Sequence, residues 1–260
     1  MKKMMNVAAM LAAVVLAAGM TACQKKAYAE GGGAAQKPAG TAKAAKPTPV
    51  NEFSRELTKD ASGVRILKYN GSAKSVVIPA EIEGLPVKEI SNAFGGNETL
   101  KRVTIPDSVQ VIYGSAFYGC TALESVTIPD SVQEIGHSAF YNCTALKSVT
   151  LGNSVQEISR SAFNGCTALE SVTIPDSVKR IGHSAFAGCT ALKSVTLGNS
   201  VQIIDYHAFS NCTSLQSLTI PDSLQKIEFP YGSTTYAFEG TELPLATQAR
   251  LKALGYTSSF

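Results

Sequence analysis

The chain has 260 residues, a net charge of +3, no Trp and only three His. Its basic balance belongs to one end: residues 1–49 carry seven Lys and one Glu, and the remainder carries 16 basic and 19 acidic groups. A mildly acidic body lacks the electrostatic footprint of a nucleic-acid binder, so no nucleic-acid partner is expected.

Residues 1–22 read as a secretory signal. Lys2 and Lys3 precede an apolar run from Val7 to Met20, which is too short for a comfortable membrane span. Thr21-Ala22-Cys23 comes next, and small residues before a Cys resemble a bacterial lipobox. That resemblance implies cleavage before Cys23 and attachment of several acyl chains to it, which anchors a protein stably to a membrane. Met20 stands where such signals prefer Leu, and an ordinary signal peptide leaving Cys23 free is the alternative. Residues 23–49 are rich in Ala, Gly, Lys and Pro and have almost nothing to bury. They read as a disordered tether, spanning about 28 Å as a flexible coil.

Residues 50–71 carry two alternating apolar segments, Phe53 to Leu57 and Val64 to Tyr69, around the polar stretch from Lys59 to Gly63. This predicts a β-hairpin. Its expected role is to cover the first coil of a repeat array, whose open end would otherwise leave core and strand edge bare.

From residue 72 to 243 the chain repeats itself. Phe117, Phe140, Phe163, Phe186 and Phe209 lie 23 residues apart, and so do Cys120, Cys143, Cys166, Cys189 and Cys212. A fixed period of roughly 20–29 residues with apolar punctuation marks a solenoid. A degenerate first repeat is followed by clean units from Leu100, Leu123, Leu146, Leu169 and Leu192. A last unit, from Leu215, carries six extra residues, a stretch that includes Phe229, Pro230, Tyr231, Gly232 and Tyr236 and must loop out. In the unit from Leu123, Ser125 to Ile128 alternates as a half-buried strand that Pro129-Asp130 ends. Val132 to Ile135 suits a second short strand, and Ser138 to Cys143 a helical or irregular return. One coil cannot fold alone, so stability belongs to the array.

A second regularity runs underneath. Units alternate between ESVTIPDS and KSVTLGNS, so the period over the middle is 46 residues. The position before the strand reads Lys101, Glu124, Lys147, Glu170, Lys193, Gln216. Opposite charges about 4.8 Å apart attract and like charges repel, which helps hold register. Duplication of a two-coil block accounts for the same pattern. Residues 244–260 predict a closing helix, with Pro244 in the first turn, Gly255 at the C-terminal cap, and Leu245, Ala249 and Leu251 or Leu254 as its apolar side.

The motif LxxVTIPDSVxxIGxxAFxGCT resembles the BspA-like, or TpLRR, class of leucine-rich repeat over residues 72–242. The predicted fold is therefore a repeat solenoid, mainly β with short helical or irregular returns. It is a leucine-rich-repeat stack of about seven coils with an N-terminal hairpin cap and a C-terminal helix cap. The resemblance implies strands stacked on one side and a bacterial surface context. It also implies protein ligands: host matrix or plasma proteins, or other bacterial surface proteins. It transfers no binding residue position by position.

No enzyme signature emerges, and no cofactor or metal is expected. The five-Cys column is odd in number and continues as Asn97 before and Thr241 after, so buried free thiols in a small polar niche fit better than disulfides or a metal ladder. The His residues lack a paired Asp and nucleophile. Ser125, Thr127 and their equivalents form a uniform polar ladder, suited to a repetitive ligand or to none. Variation gathers around the Phe, in the columns Gly114, His137, Arg160, His183, Tyr206 and Tyr118, Tyr141, Asn164, Ala187, Ser210. Tyr113, Tyr118 and Tyr141 are expected to form an aromatic patch, and Tyr and Arg are favoured as interface anchors. The candidate partner-binding residues are thus Tyr113, Tyr118, His137, Tyr141, Arg160, His183 and Tyr206, with Cys23 as the lipid site. The expected protein is a lipid-anchored envelope protein at the outer membrane, exposed at the cell surface and acting in adhesion. A structural or periplasmic scaffold is the alternative.

Overall fold

The computed structural model describes residues 46–227, 236–257 and 259–260. The signal at 1–22, Cys23, most of the expected tether, and Phe229, Pro230, Tyr231 and Gly232 lie outside the described residues.

Each coil contributes two short strands, and each set stacks into its own sheet. Ser75–Val77, Arg102–Thr104, Ser125–Thr127, Ser148–Thr150, Ser171–Thr173, Ser194–Thr196 and Ser217–Thr219 form a seven-stranded parallel sheet. Register repeats without slip: Ser148 lies opposite Ser125, Val149 opposite Val126 and Thr150 opposite Thr127. The middle residue points inward, and its flanking Ser and Thr point mostly to solvent. A one-residue slip would bury the hydroxyls and expose the Val column. The second strands, Val111–Ile112, Glu134–Ile135, Glu157–Ile158, Arg180–Ile181, Ile203–Ile204 and Lys226–Ile227, extend another parallel sheet from Leu85–Ile90. Strands therefore stack on two sides, where the resemblance implied one.

The hairpin begins that second sheet. β1 (Phe53–Leu57) pairs antiparallel with β2 (Val64–Tyr69), and β2 pairs parallel with Leu85–Ile90. Asp60 closes the turn by accepting from the Thr58 hydroxyl at 2.6 Å and the Ser62 amide at 3.1 Å. The other sheet's edge is met by Thr48, whose amide donates to the Val77 carbonyl at 2.9 Å and whose hydroxyl accepts from the Val77 amide at 3.0 Å. Thr48 was expected in the tether and is joined to the body instead.

The return segments form no helix, yet their backbone is satisfied from coil to coil. Phe140 N–H donates to the Ala162 carbonyl at 2.7 Å, and Phe163 N–H to that of Ala185 at 2.8 Å. Ser115, Ser138, Ser161 and Ser184 take left-handed φ of 53–59° two residues before each Phe. Such backbone is costly for a residue with a Cβ and is held here by the ladder on either side.

Packed under these turns, Phe94, Phe117, Phe140, Phe163, Phe186, Phe209 and Phe238 form one column of parallel rings. Their centroids lie 4.9–5.5 Å apart with interplanar angles of 2–8°. Phe53 and Tyr69 continue it at one end, and Tyr256 and Phe260 at the other. The five Cys beside it are free and buried. Each thiol donates to the Phe carbonyl of the preceding coil, as Cys143 Sγ does to Phe117 at 3.2 Å. Burial pushes Cys120 and Cys166 up to about 12, so they are inert as nucleophiles.

The helix α1 (Leu245–Ala253) follows Pro244. Gly255, at φ +95°, ends it: its amide donates to Lys252 and that of Tyr256 to Leu251, closing a Schellman motif over the buried Leu251 and Tyr256. The apolar side differs from expectation. Leu245 is 82% exposed and Ala249 is exposed, so the buried Leu251 anchors the helix, with half-buried Leu254 packed against the core and Tyr256 beyond it.

Over the central coils the 46-residue alternation is also a matter of fit. A Cβ on Gly152 would lie 2.3 Å from the Pro129 carbonyl oxygen, and one on Gly198 would lie 2.5 Å from that of Pro175. Pro129-Asp130 itself follows Pro106-Asp107, so a Pro-Asp turn does not require Gly above it, but each Gly-Asn turn leaves no room for a side chain over the Pro-Asp turn before it. The Asp then accepts from the next coil's Asn amide, at 2.8 Å for Asp130 and Asn153 and 2.6 Å for Asp176 and Asn199. The charged row adds pairs at 3.1 Å (Lys101–Glu124) and 3.6 Å (Lys193–Glu170), both well exposed and screened by solvent, so they contribute little. Gly152→Ala is expected to cost about 1–3 kcal/mol in urea unfolding, because backbone must shift to admit the methyl group. An unchanged unfolding midpoint would contradict this interlock.

Candidate ligand-binding surface

The variable columns flank the Phe turns. Tyr118 and Tyr141, one coil apart, stack with centroids 5.1 Å apart and planes 3° from parallel. Tyr118 is 44% exposed, a large ring left in solvent beside a fully buried Phe column. The stack follows from the fold, because Tyr118 and Tyr141 each directly follow a stacked Phe.

Tyr113 has other company. The Arg65 guanidinium sits 4.9 Å from its ring centroid, within cation–π reach, and the same Arg pairs with Glu56 and Glu89. Among the described residues, no ring contact joins Tyr113 to the Tyr118–Tyr141 stack. The expected three-Tyr patch is thus a pair, and Tyr113 belongs to an ion network at the hairpin cap.

The second column splits as well. His137 is exposed, and its ring lies over Gly114, where a Cβ would come within 2.5 Å of it. Arg160 is exposed. His183 stacks on Tyr206 at 3.8 Å, and its Nδ1 lies 3.0 Å from the Tyr206 carbonyl oxygen. His207, 5.9 Å from the His183 ring, stacks in turn on Tyr236 at 5.3 Å. Four rings therefore gather where sequence reasoning named two. The missed pair was readable: Tyr236 precedes Phe238 by two residues, as His207 precedes Phe209, once the six-residue insertion is set aside. Asp205, buried beside this cluster, is held by Arg180 at 2.8 Å.

Among the described residues, no group of three His, Cys, Asp or Glu can hold a metal. The depressions are shallow. A 440 Å³ one over the Ser/Thr ladder is bordered by Ser148, Thr150, Ser171 and Thr173, and a 460 Å³ one lies between β1 and Leu85. Among the described residues, no helix is long and apolar enough to cross a membrane.

Two sheets of stacked short strands, a buried Phe column and variable residues on its turns define a leucine-rich-repeat solenoid, a class that generally acts through protein–protein interaction. The model of the BspA type leucine rich repeat region matches residues 66–193 and 156–243, in 6 copies, and the chain belongs to that family. It is similar to the T. pallidum leucine rich repeat protein, with 36% identity, a TM-score of 0.74, and coverage of 83% of this chain and 99% of that one. It also resembles a leucine rich cell surface protein from Faecalibacterium prausnitzii, at 30% identity, TM-score 0.58 and coverage of 77% and 55%. A leucine-rich repeat protein from Bacteroides ovatus matches at 26% identity and TM-score 0.56, with 75% and 57% covered. No curated protein matches the chain. Scaffolds of this kind are typically non-enzymatic, and proteins of the family are typically at the cell surface.

Burial lowers the His183 pKa from 6.5, and the Tyr206 carbonyl only partly opposes this. Between that lowered value and 6.5 the unfolded chain binds more protons than the folded one, so this residue's share of stability falls as pH drops through 6.5. NMR titration should show the His183 ring titrating below 6.5, and His183→Gln should flatten this part of the pH dependence of Tm. A His183 pKa at or above 6.5 would contradict the burial.

Proposed function

We propose that the protein is a lipid-anchored adhesin of the cell envelope, held by acylated Cys23. Its ligands are host matrix or plasma proteins, or surface proteins of other bacteria, and it binds them without catalysis. The observation that carries this reading is the stacked Tyr118–Tyr141 pair, with Tyr118 exposed and Tyr141 half-buried, on an otherwise repetitive body. Two rigid rings held in place by the coils below lose little freedom on binding, which is what makes aromatic side chains effective anchors. Arg160, His137 and the His183–Tyr206 stack extend the surface along the same turns. Uniform columns carry the fold, and the columns that vary are free to be specific.

The lipobox-like Thr21-Ala22-Cys23 and the Lys-, Ala- and Pro-rich residues after it supply an anchor and a spacer. Gln24 follows the Cys, not the Asp that retains some lipoproteins in an inner membrane, which favours the outer membrane.

The test uses intact producing cells on surfaces coated with matrix or plasma protein. Tyr118→Ser with Tyr141→Ser is expected to lower adherence about tenfold or more while leaving Tm within a few degrees. Unchanged adherence would show that the Tyr pair is no anchor. Protease resistance of the body on intact cells would place it in the periplasm and favour a scaffold role instead.

A further inference from the structure

The 46-residue alternation also patterns the outer face of the seven-stranded sheet. Along that face the row before each strand reads Glu124, Lys147, Glu170, Lys193 over the four central coils, and the turn row reads Asp130, Asn153, Asp176, Asn199. Both rows change into their complements when read backwards. A twofold axis parallel to the strands, passing between Ser148–Thr150 and Ser171–Thr173, reverses the order of coils and keeps each row opposite itself. It places Lys147 of one copy against Glu170 of the other, and Glu124 against Lys193. It places Asn153 against Asp176 and Asp130 against Asn199. Pro129 then faces Gly198, so the bulkier turn of one copy meets the smaller turn of the other.

We infer that this sheet face is a self-association surface whose partner is a second, antiparallel copy of the same chain. Several observations bear on it. The Ser and Thr flanking each buried Val are mostly exposed and arranged in strict register, as an extended contact between sheets requires. Hydroxyls are both donors and acceptors, so a Ser or Thr row can pair with its own image. The row from Glu124 to Lys193 carries no net charge, and Lys193 already lies 3.6 Å from Glu170 within one copy, so the face can approach its image without net repulsion from this row. The shallow 440 Å³ depression bordered by Ser148, Thr150, Ser171 and Thr173 straddles the proposed axis. A twofold contact must be self-complementary, and only the alternating pattern makes it so. A row of identical coils, all Glu or all Lys, would repel its own image.

Sedimentation equilibrium of the full-length chain over a range of protein and salt concentrations tests this. A dimer that weakens as salt rises is expected. Glu124→Lys with Glu170→Lys makes the central row wholly basic, and Lys147→Glu with Lys193→Glu makes it wholly acidic. Each variant alone should associate at least about tenfold more weakly, and an equimolar mixture should recover the dimer. If a charge variant fails to fold, Thr150→Arg, a single exposed change beside the axis, should also give a monomer. A wild-type chain that stays monomeric at all concentrations overturns the inference, as does a dimer that survives all three variants. Association of the monomer's sheet face with a polysaccharide or an unrelated protein instead would assign the face to that ligand and overturn it equally.

Discussion

The structure depends on the stacking of one phenylalanine per coil upon the next. The rings are buried and nearly parallel, and each is one coil from its neighbours. Such contacts add about 0.5–1.5 kcal/mol per pair beyond the burial of the ring itself. Their larger effect is geometric. A ring locked between two others fixes the height of its coil, which sets both strand registers and lets each turn amide meet the carbonyl of the next coil. The left-handed Ser residues, the thiols bonded to Phe carbonyls and the Pro–Gly interlock all presuppose that spacing. The caps follow from it too, since Phe53 with Tyr69 and Tyr256 with Phe260 complete the column where repeats end.

Most of this was legible because the repeat makes each column its own control. A Phe every 23 residues among alternating apolar positions has few solutions other than a stack. The second strand set was also foreshadowed by Val132 to Ile135, although the family resemblance pointed to one strand face. What periodicity could not give was contact between unlike positions. The Gly152–Pro129 clash is invisible as a pattern, because duplication and inherited charge explain the same alternation. The α1 helix misled for a different reason. Leu245 and Ala249 have helical spacing, but the Schellman turn at Gly255 draws Tyr256 under the stack and leaves that side to solvent.

The candidate surface was legible where it obeyed the repeat and obscure where it did not. Tyr118 and Tyr141 occupy one column, so their stacking follows from the Phe column beside them. Tyr113 lost its expected neighbours to Arg65, which comes from the hairpin, outside the repeat. His207 and Tyr236 were separated by the inserted residues and rejoin only when counted back from Phe238. The columns thus divide the labour: the uniform ones hold the coils, the alternating rows match their own reverse, and the variable ones carry different side chains on each turn.

Replacing the central ring tests the dependence most directly. Phe163→Ala, measured by equilibrium urea unfolding, should lower stability by about 3–5 kcal/mol, because the cavity removes two stacking contacts and the spacing they set. A loss below about 1 kcal/mol would contradict the primacy of the Phe column, showing that the strand ladders alone hold the coils at their spacing.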